Sequence, residues 1–141
     1  MRLLDIFLNK WHRCVNSRYR VMLITPSKQD RFPDELIEEL TNVIGADRLD
    51  FFKRYQGELE SFFTRGRIQE EIREACSVNP LLVSSLEPFY SKWPLEERYA
   101  FLRYMLRAET TQGVVLVLYC QEDLAEIKEI GENNRGIIWT P

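Results

Sequence analysis

Five residues with polar or aromatic side chains stand at the ends of segments that the sequence predicts as strands. They are Ser27, Lys28, Glu122, Asp123 and Trp139. Ligands of open α/β sheets bind beyond the carboxyl ends of parallel strands. If the three predicted strands are parallel and adjacent, these residues share one edge of the sheet. A cation, two carboxylates and an aromatic ring could hold a small polar ligand there, or a metal ion through the carboxylates.

The same residues have an ordinary structural interpretation. Glu122 and Asp123 suit the first turn of a helix, where carboxylates complement the helix dipole. Lys28 equally suits a solvated loop. The sequence therefore leaves two interpretations of these residues open, a ligand site at the strand ends and an ordinary solvated surface.

Established catalytic and cofactor signatures are absent from the chain, which has no GxGxxG, GxxxxGK[ST], HExxH or GxSxG stretch. The single histidine, His12, follows Trp11 in the first predicted helix, with no reason to approach Cys76 or Cys120. The three cysteines, Cys14, Cys76 and Cys120, are far apart and lack a CxxC pair. This spacing predicts buried, reduced thiols in a cytoplasmic protein rather than disulfides or a zinc site. We therefore predict no catalytic residue, no metal and no cofactor.

The charge balance disfavours a general nucleic-acid partner. The chain of 141 residues has a formal net charge of −3 and a pI of about 5.3, whereas phosphate recognition needs a basic footprint. Residues 1–20 hold five basic residues and one acid, so their net charge is +4 and the rest of the chain carries −7. A basic start on an acidic body indicates either an anionic surface or an internal docking contact.

The first predicted helix, residues 2–15, has an apolar stripe of Leu4, Phe7, Leu8 and Trp11. This stripe could contact a membrane, a partner protein or the domain to which it belongs. A single amphipathic helix of this size and charge binds membranes only weakly and reversibly. We expect the stripe to lie against protein, with a membrane surface as the alternative.

The predicted helices contain more aromatic residues than one narrow apolar stripe per helix can bury in a domain of this size. Arginines accompany them in "TRGRIQEEIR" (64–73) and "RYAFLRYMLR" (98–107). Aromatic and arginine surfaces are typical of protein–protein hot spots, and a thick helical layer that buries the rings is the alternative. Surfaces that mix aromatic and basic residues also bind single-stranded nucleic acid. Here the aromatic residues have the spacing of core positions, which favours buried rings, and acidic residues flank the arginines, which favours an ordinary solvated helix face.

Hydrophobic periodicity and turn residues divide the chain into elements. Strands are predicted over 19–25, 114–120 and 136–140. Helices are predicted over 2–15, from Pro33 to Gly45, from Asp47 onward, over 68–76, over 81–93, from Leu95 and over 121–134.

These elements predict one α/β domain over residues 1–141, predominantly helical around a small, about three-stranded, mainly parallel sheet. It ends in a βαβ unit whose two strands, 114–120 and 136–140, are expected to be parallel neighbours. The function we predict is that of a non-enzymatic adaptor, accessory or regulatory protein whose partner is another protein or a second copy. The alternatives are a small α/β enzyme or ligand-sensing domain that uses the strand ends, and a peripheral membrane protein that uses residues 2–15.

Overall fold

Five short strands form one parallel sheet in the computed structural model, which describes residues 2–26, 32–55, 64–110, 112–134 and 137–141. The strands are β1 (Val21–Ile24), β2 (Asp47–Asp50), β3 (Leu81–Ser84), β4 (Val114–Val117) and β5 (Ile137–Trp139). Their order is β2-β3-β4-β1-β5, and every neighbouring pair is parallel. The α/β class and the parallel sheet are confirmed, whereas the sheet has five strands rather than about three.

Helices precede the first strand and connect each strand to the next. They are α1 (Leu3–Val15), α2 (Asp34–Val43), α3 (Phe51–Arg54), α4 (Arg65–Ala75), α5 (Glu87–Tyr90), α6 (Leu95–Leu106) and α7 (Leu124–Asn134). A 3₁₀ turn, Gln121–Asp123, leads into α7. The first helix and the helix that begins after Pro94 therefore lie where the periodicity predicts them.

Both faces of the sheet are buried under helices. Successive residues of a strand point to opposite faces, so Met22 and Ile24 join the core that contains α1 and α2 residues. Val21 and Leu23 join the core that contains residues of α4, α6 and α7. This double burial explains why β1 and β4 are continuously apolar rather than alternating, and why β3 is apolar up to its last residue, Ser84.

Strand β1 occupies a position that the sequence does not reveal, between β4 and β5. Its residue Val21 is in register with Val114 of β4, and Ile24 is in register with Trp139 of β5. The predicted neighbourhood of β4 and β5 is therefore wrong, although both strands are parallel. A helical crossover makes two strands parallel but does not fix how many strands it passes over.

Two predicted helices begin instead as strands. Asp47 starts β2 rather than capping a helix, and Asp50 caps the short α3 by accepting a hydrogen bond from the backbone N of Lys53 (3.1 Å). The helix predicted over 81–93 is β3 followed by α5. Between them Ser85 adopts φ 62°, a left-handed conformation that a continuous helix does not contain.

Candidate functional site at the carboxyl ends of the strands

The topological switch point of the sheet lies between β1 and β4. From β1 the chain runs through α2 on one face to the edge strand β2, whereas from β4 it runs through α7 on the opposite face to β5. In doubly wound α/β folds, ligands bind outside the carboxyl ends of two such adjacent strands. The fold therefore places the candidate site where β1 and β4 end.

The three strand ends expected to form the site do meet at one edge. The Thr25 backbone N donates to the carbonyl of Trp139 (3.0 Å), and the Leu118 N donates to the carbonyl of Ile24 (2.9 Å). The pairing thus continues past the last strand residues on both sides of β1. The convergence that the sequence analysis required, with the strands parallel and adjacent, is present.

The predicted site residues have different surroundings at this edge. Ser27 and Lys28 lie outside the described residues. Glu122 is exposed on the 3₁₀ turn. Trp139 is 8% exposed, and its ring packs against the rings of Phe7 (6.4 Å between centroids) and Phe32 (6.1 Å). Trp139 therefore belongs to the hydrophobic core at the base of the edge.

Asp123 is buried, and donors of the same chain engage both of its oxygens. Arg98 binds it through two atoms, Nε to Oδ2 at 3.0 Å and Nη2 to Oδ1 at 3.2 Å. The Tyr90 hydroxyl donates to Oδ2 at 2.7 Å. Burial and this hydrogen bond raise the pKa of Tyr90, so the phenol stays protonated and donates. The carboxylate thus joins the start of α7 to α5 and α6, and a ligand would have to displace Arg98 to reach it.

Side chains from the β4 end hold both ends of the connection between β1 and α2. Gln121 Nε2 donates to the Thr25 carbonyl (2.9 Å), and the Thr25 hydroxyl lies 3.6 Å from the Cys120 sulfur. The Tyr119 hydroxyl accepts from the Phe32 N (3.1 Å) and donates to the Phe32 carbonyl (3.4 Å). The connection is therefore anchored at residues 25 and 32.

Two further residues of this edge, Ser85 and Glu87, were not predicted from the sequence. A non-glycine residue in the left-handed region is uncommon and often marks a functional turn. Glu87 Oε1 accepts a hydrogen bond from the Tyr119 N (3.0 Å), which joins α5 to the end of β4. The sequence signal is the three-residue apolar run "LLV" (81–83) after Pro80, which is similar in character to "VVLV" of β4.

The start of α2 differs from a phosphate-binding helix terminus. The connection that precedes it, residues 25–33, has no glycine that would let a backbone wrap a phosphate. Its first turn holds two carboxylates, Asp34 and Glu35. Arg48 hydrogen-bonds Asp34 (2.7 Å), which lowers the pKa of that carboxyl and keeps it ionised, and also pairs with Glu38. Negative charge already occupies the positive end of the helix dipole.

The cysteines are poor nucleophiles in this fold. All three are buried and free. Burial raises the pKa of Cys14 and of Cys120 to about 12, and it also raises the pKa of Cys76. Because the thiolate is the reactive form, these thiols are inert at neutral pH. In the described part of the chain, no three His, Cys, Asp or Glu residues cluster with the spacing of a metal site.

The apolar stripe of α1 packs mainly onto the sheet. Phe7 is 0% exposed and Trp11 is 6% exposed, and both belong to the core shared with α2. Leu4 packs partly against the same core, and Leu8 is half-buried. Of the four candidate contact residues, only Leu4 and Leu8 retain surface that a partner or a membrane could touch.

Most aromatic side chains of the described helices, and Trp93 in the turn before α6, lie inside the domain. Phe51, Phe89, Tyr90, Trp93 and Phe101 are all buried and pack ring against ring. The thick helical layer that the sequence analysis held as the alternative thus accounts for these rings. The described aromatics that remain well exposed are Phe52 (50%) and Tyr104 (43%).

A shallow groove beside Phe52 opens at the carboxyl ends of β2 and β3. Its volume is about 360 Å³, and it is lined by Phe52, Ser85, Glu87, Pro88 and Ser91. The groove adjoins the β1 and β4 ends because Glu87 lines it and also accepts the hydrogen bond from the Tyr119 N. The carboxyl edge therefore has an internally bonded half at β1 and β4 and an open, partly apolar half at β2 and β3.

The fold and its carboxyl edge define the class of this protein, a doubly wound parallel α/β domain. The chain matches no known protein family, and a search of curated proteins gave no significant relative. Among the described residues, no helix is both long and apolar enough to cross a membrane.

Proposed function

We propose that the protein is an accessory or adaptor domain that acts by binding another protein at the β2–β3 half of its carboxyl edge. The observation that carries the proposal is the half-exposed ring of Phe52 beside an open groove. On the neighbouring half of the edge, Asp123 and Thr25 already have partners within the chain. A partner can therefore gain binding energy at the groove, whereas the polar groups of Asp123 and Thr25 are already hydrogen-bonded within the chain.

The local structure holds the backbone of Phe52 in place. Asp50 caps α3, and the preceding residue, Phe51, is fully buried with its ring 6.2 Å from that of Phe89. A rigid aromatic side chain loses little conformational entropy when it binds, which is why aromatic anchors dominate protein–protein hot spots. Phe52 therefore has the geometry of an interface anchor.

The groove and its surroundings indicate the chemistry of the partner. Pro88 gives the groove an apolar side, while Glu87 and Ser91 provide polar atoms. Lys53 and Arg54, which follow Phe52 on α3, are exposed and cationic. These features suit a partner segment with an apolar side chain for the groove and acidic residues beside it.

Site-specific photo-crosslinking tests the proposal in the native cell. Phe52→p-benzoylphenylalanine should give a discrete adduct with one protein, identified by mass spectrometry. Val78→p-benzoylphenylalanine is the matched control, because Val78 is 75% exposed in the turn before β3, at the opposite edge. An adduct with a second copy of the chain would identify a homo-oligomer. No adduct at residue 52, or the same adducts from both positions, would contradict the proposal.

A second candidate function follows from the switch point between β1 and β4. The topology there is that of ligand sites in doubly wound folds, which supports a ligand-sensing domain. Lys28→Ala and Glu122→Ala should then abolish a ligand-dependent rise in melting temperature while the unliganded protein melts normally. Glu126→Ala, an exposed acid further along α7, is the control. If a panel of nucleotides, metabolites and divalent cations gives no shift, this candidate loses its support.

A further inference from the structure

The two arginine-containing segments of the sequence converge at the opposite edge of the sheet. Helix α4 packs against α6, and their C-terminal ends lead toward the starts of β3 and β4. Between them lies a cavity of about 480 Å³, within the range of about 300–1,000 Å³ typical of small-molecule sites. This cavity is separate from the carboxyl edge, because it lies at the amino ends of the strands.

Positive charge dominates the rim of the cavity. Arg73 from α4 and Arg103 and Arg107 from the end of α6 line it, and all three are exposed. Arg73 forms an ion pair with Glu70 on the same helix, with Nη2 3.6 Å from Oε1. Among the described lining residues the acid is Glu109, and it pairs with Arg18 at 2.9 Å, so its charge is compensated by a residue outside the lining.

The inner wall combines apolar surface with an unpaired donor. Ile72 and Met105 are almost fully buried, and the Tyr104 ring is 43% exposed beside them. Gln69 is only 7% exposed, and its Nε2 atom is buried without a hydrogen-bond partner in the described part of the chain. Buried polar atoms are normally hydrogen-bonded, and an exception needs an explanation.

Helix electrostatics explain only part of this arrangement. Cations in the last turn of a helix complement the dipole, which accounts for Arg73 on α4 and Arg103 on α6 taken singly. The dipole also suits Arg107, the C-cap residue of α6, but it does not account for the convergence of the three arginines on one cavity or for the unpaired amide of Gln69. A bound ligand would explain all of these features.

We propose that this cavity binds a mononucleotide. Guanidinium groups bind phosphate through paired, charge-assisted hydrogen bonds, which suits Arg103 and Arg107. A nucleobase stacks on tyrosine rings and on guanidinium planes, which suits Tyr104. Gln69 Nε2 itself has almost no exposed surface, so the amide would turn toward the cavity to donate to a carbonyl or ring nitrogen of the base. An anion without a flat heterocycle would leave the apolar wall and the amide without a partner.

Isothermal titration of the full chain tests the proposal. The probes are the four ribonucleoside monophosphates, the matching nucleosides and inorganic phosphate. At least one monophosphate should bind saturably with one site per chain, and more tightly than its nucleoside or phosphate. No saturable binding at millimolar concentration would overturn the proposal, and so would equal binding of inorganic phosphate or of the nucleoside.

Variants locate the site. Arg103→Ala and Arg107→Ala should each weaken binding about tenfold or more, the scale of a hydrogen bond to a charged group. Gln69→Met, which removes the donor and keeps the length, should weaken it as well. Arg13→Ala, an exposed arginine at the end of α1, should bind like wild type. Melting temperatures confirm that each variant is folded, and unchanged affinity in the folded Arg103 and Arg107 variants would overturn the assignment.

Discussion

Arg98 and Asp123 form a bidentate ion pair with very unequal burial. The Asp123 side chain is 2% exposed, whereas that of Arg98 is 20% exposed. The remaining guanidinium nitrogen, Nη1, donates to the carbonyl of Trp93 (3.1 Å). The pair thus connects α6, the turn before it and the start of α7. A carboxylate so deeply buried depends on its partner, because an unpaired buried charge is costly.

Replacement of Arg98 tests this dependence. Arg98→Met keeps the aliphatic packing but leaves the carboxylate unpaired, so the free energy of unfolding should fall by about 3–5 kcal/mol. Urea unfolding followed by circular dichroism measures the change. Adding Asp123→Asn to Arg98→Met should recover part of the loss, because it removes the buried charge.

The matched control is the exposed pair of Arg18 and Glu109, whose side chains are 75% and 62% exposed. Arg18→Ala should cost less than about 1 kcal/mol, as exposed ion pairs usually do. A similarly small loss for Arg98→Met would show that the buried pair does not hold the helices together.

The sequence predicted the strands that are apolar and bounded by clear turn residues. β1, β4 and β5 have that character, and the helical spacing of α1 and α6 was equally clear. The edge strand β2, "DRLD", has a single apolar residue, Leu49, and its Arg48 pairs with acids of α2 and of β2 itself. A strand with so little hydrophobic pattern resembles a helix start, since Asp47 is also a good N-cap.

The candidate site was predictable only as a location. Parallel strands bring their carboxyl ends to one edge, so the neighbourhood of Glu122 and Trp139 follows from the fold class. The environment of Asp123 depends on Arg98 and Tyr90, which lie 25 and 33 residues away in the chain. Pairings over such distances are set by how α5 and α6 pack, and local patterns do not encode them.

Gly113 and Trp11 provide a second test, of how α1 packs at the start of β4. Gly113 has φ +95°, and a Cβ atom there would lie 2.7 Å from Cη2 of Trp11. Gly113→Ala combines a strained backbone with a clash against a packed ring, and should lower stability by about 2–4 kcal/mol. Differential scanning calorimetry measures the loss.

Gly66→Ala is the matched control for this substitution. Gly66 lies on α4, and its added Cβ would have no atom within 4 Å. Alanine is the better helix former, so stability should rise by up to about 1 kcal/mol. A stable Gly113→Ala variant would contradict the close approach of Trp11.

The buried thiols predict a loss of stability at alkaline pH. The pKa of Cys14 and of Cys120 is about 12 in the folded protein, against 9.0 for an ordinary thiol. Between these values the unfolded chain releases protons that the folded chain retains. The contribution of these thiols to stability should therefore be constant below pH 9 and then fall by about 1.4 kcal/mol per pH unit for each thiol.

Urea unfolding at pH 8 and at pH 10.5 measures this effect. Cys120→Ala should show a shallower decline than wild type, since one of the thiols with a raised pKa is gone. At pH 8 a disulfide reagent such as Ellman's reagent should modify the native thiols slowly and the unfolded thiols at once. Rapid modification of the native protein would contradict the burial of these cysteines.

Substitutions in the first helix distinguish a packing element from a membrane contact. Phe7 is fully buried, and its ring lies 6.4 Å from that of Trp139. Phe7→Ala should therefore lower the free energy of unfolding by about 3–5 kcal/mol, measured by urea unfolding. Leu8→Ala, half-buried on the same helix, should cost about 1 kcal/mol or less. A membrane contact predicts the reverse, because its apolar face would be free in solution. If Phe7→Ala kept wild-type stability but lost salt-sensitive binding to anionic vesicles, α1 would be a membrane element rather than part of the core.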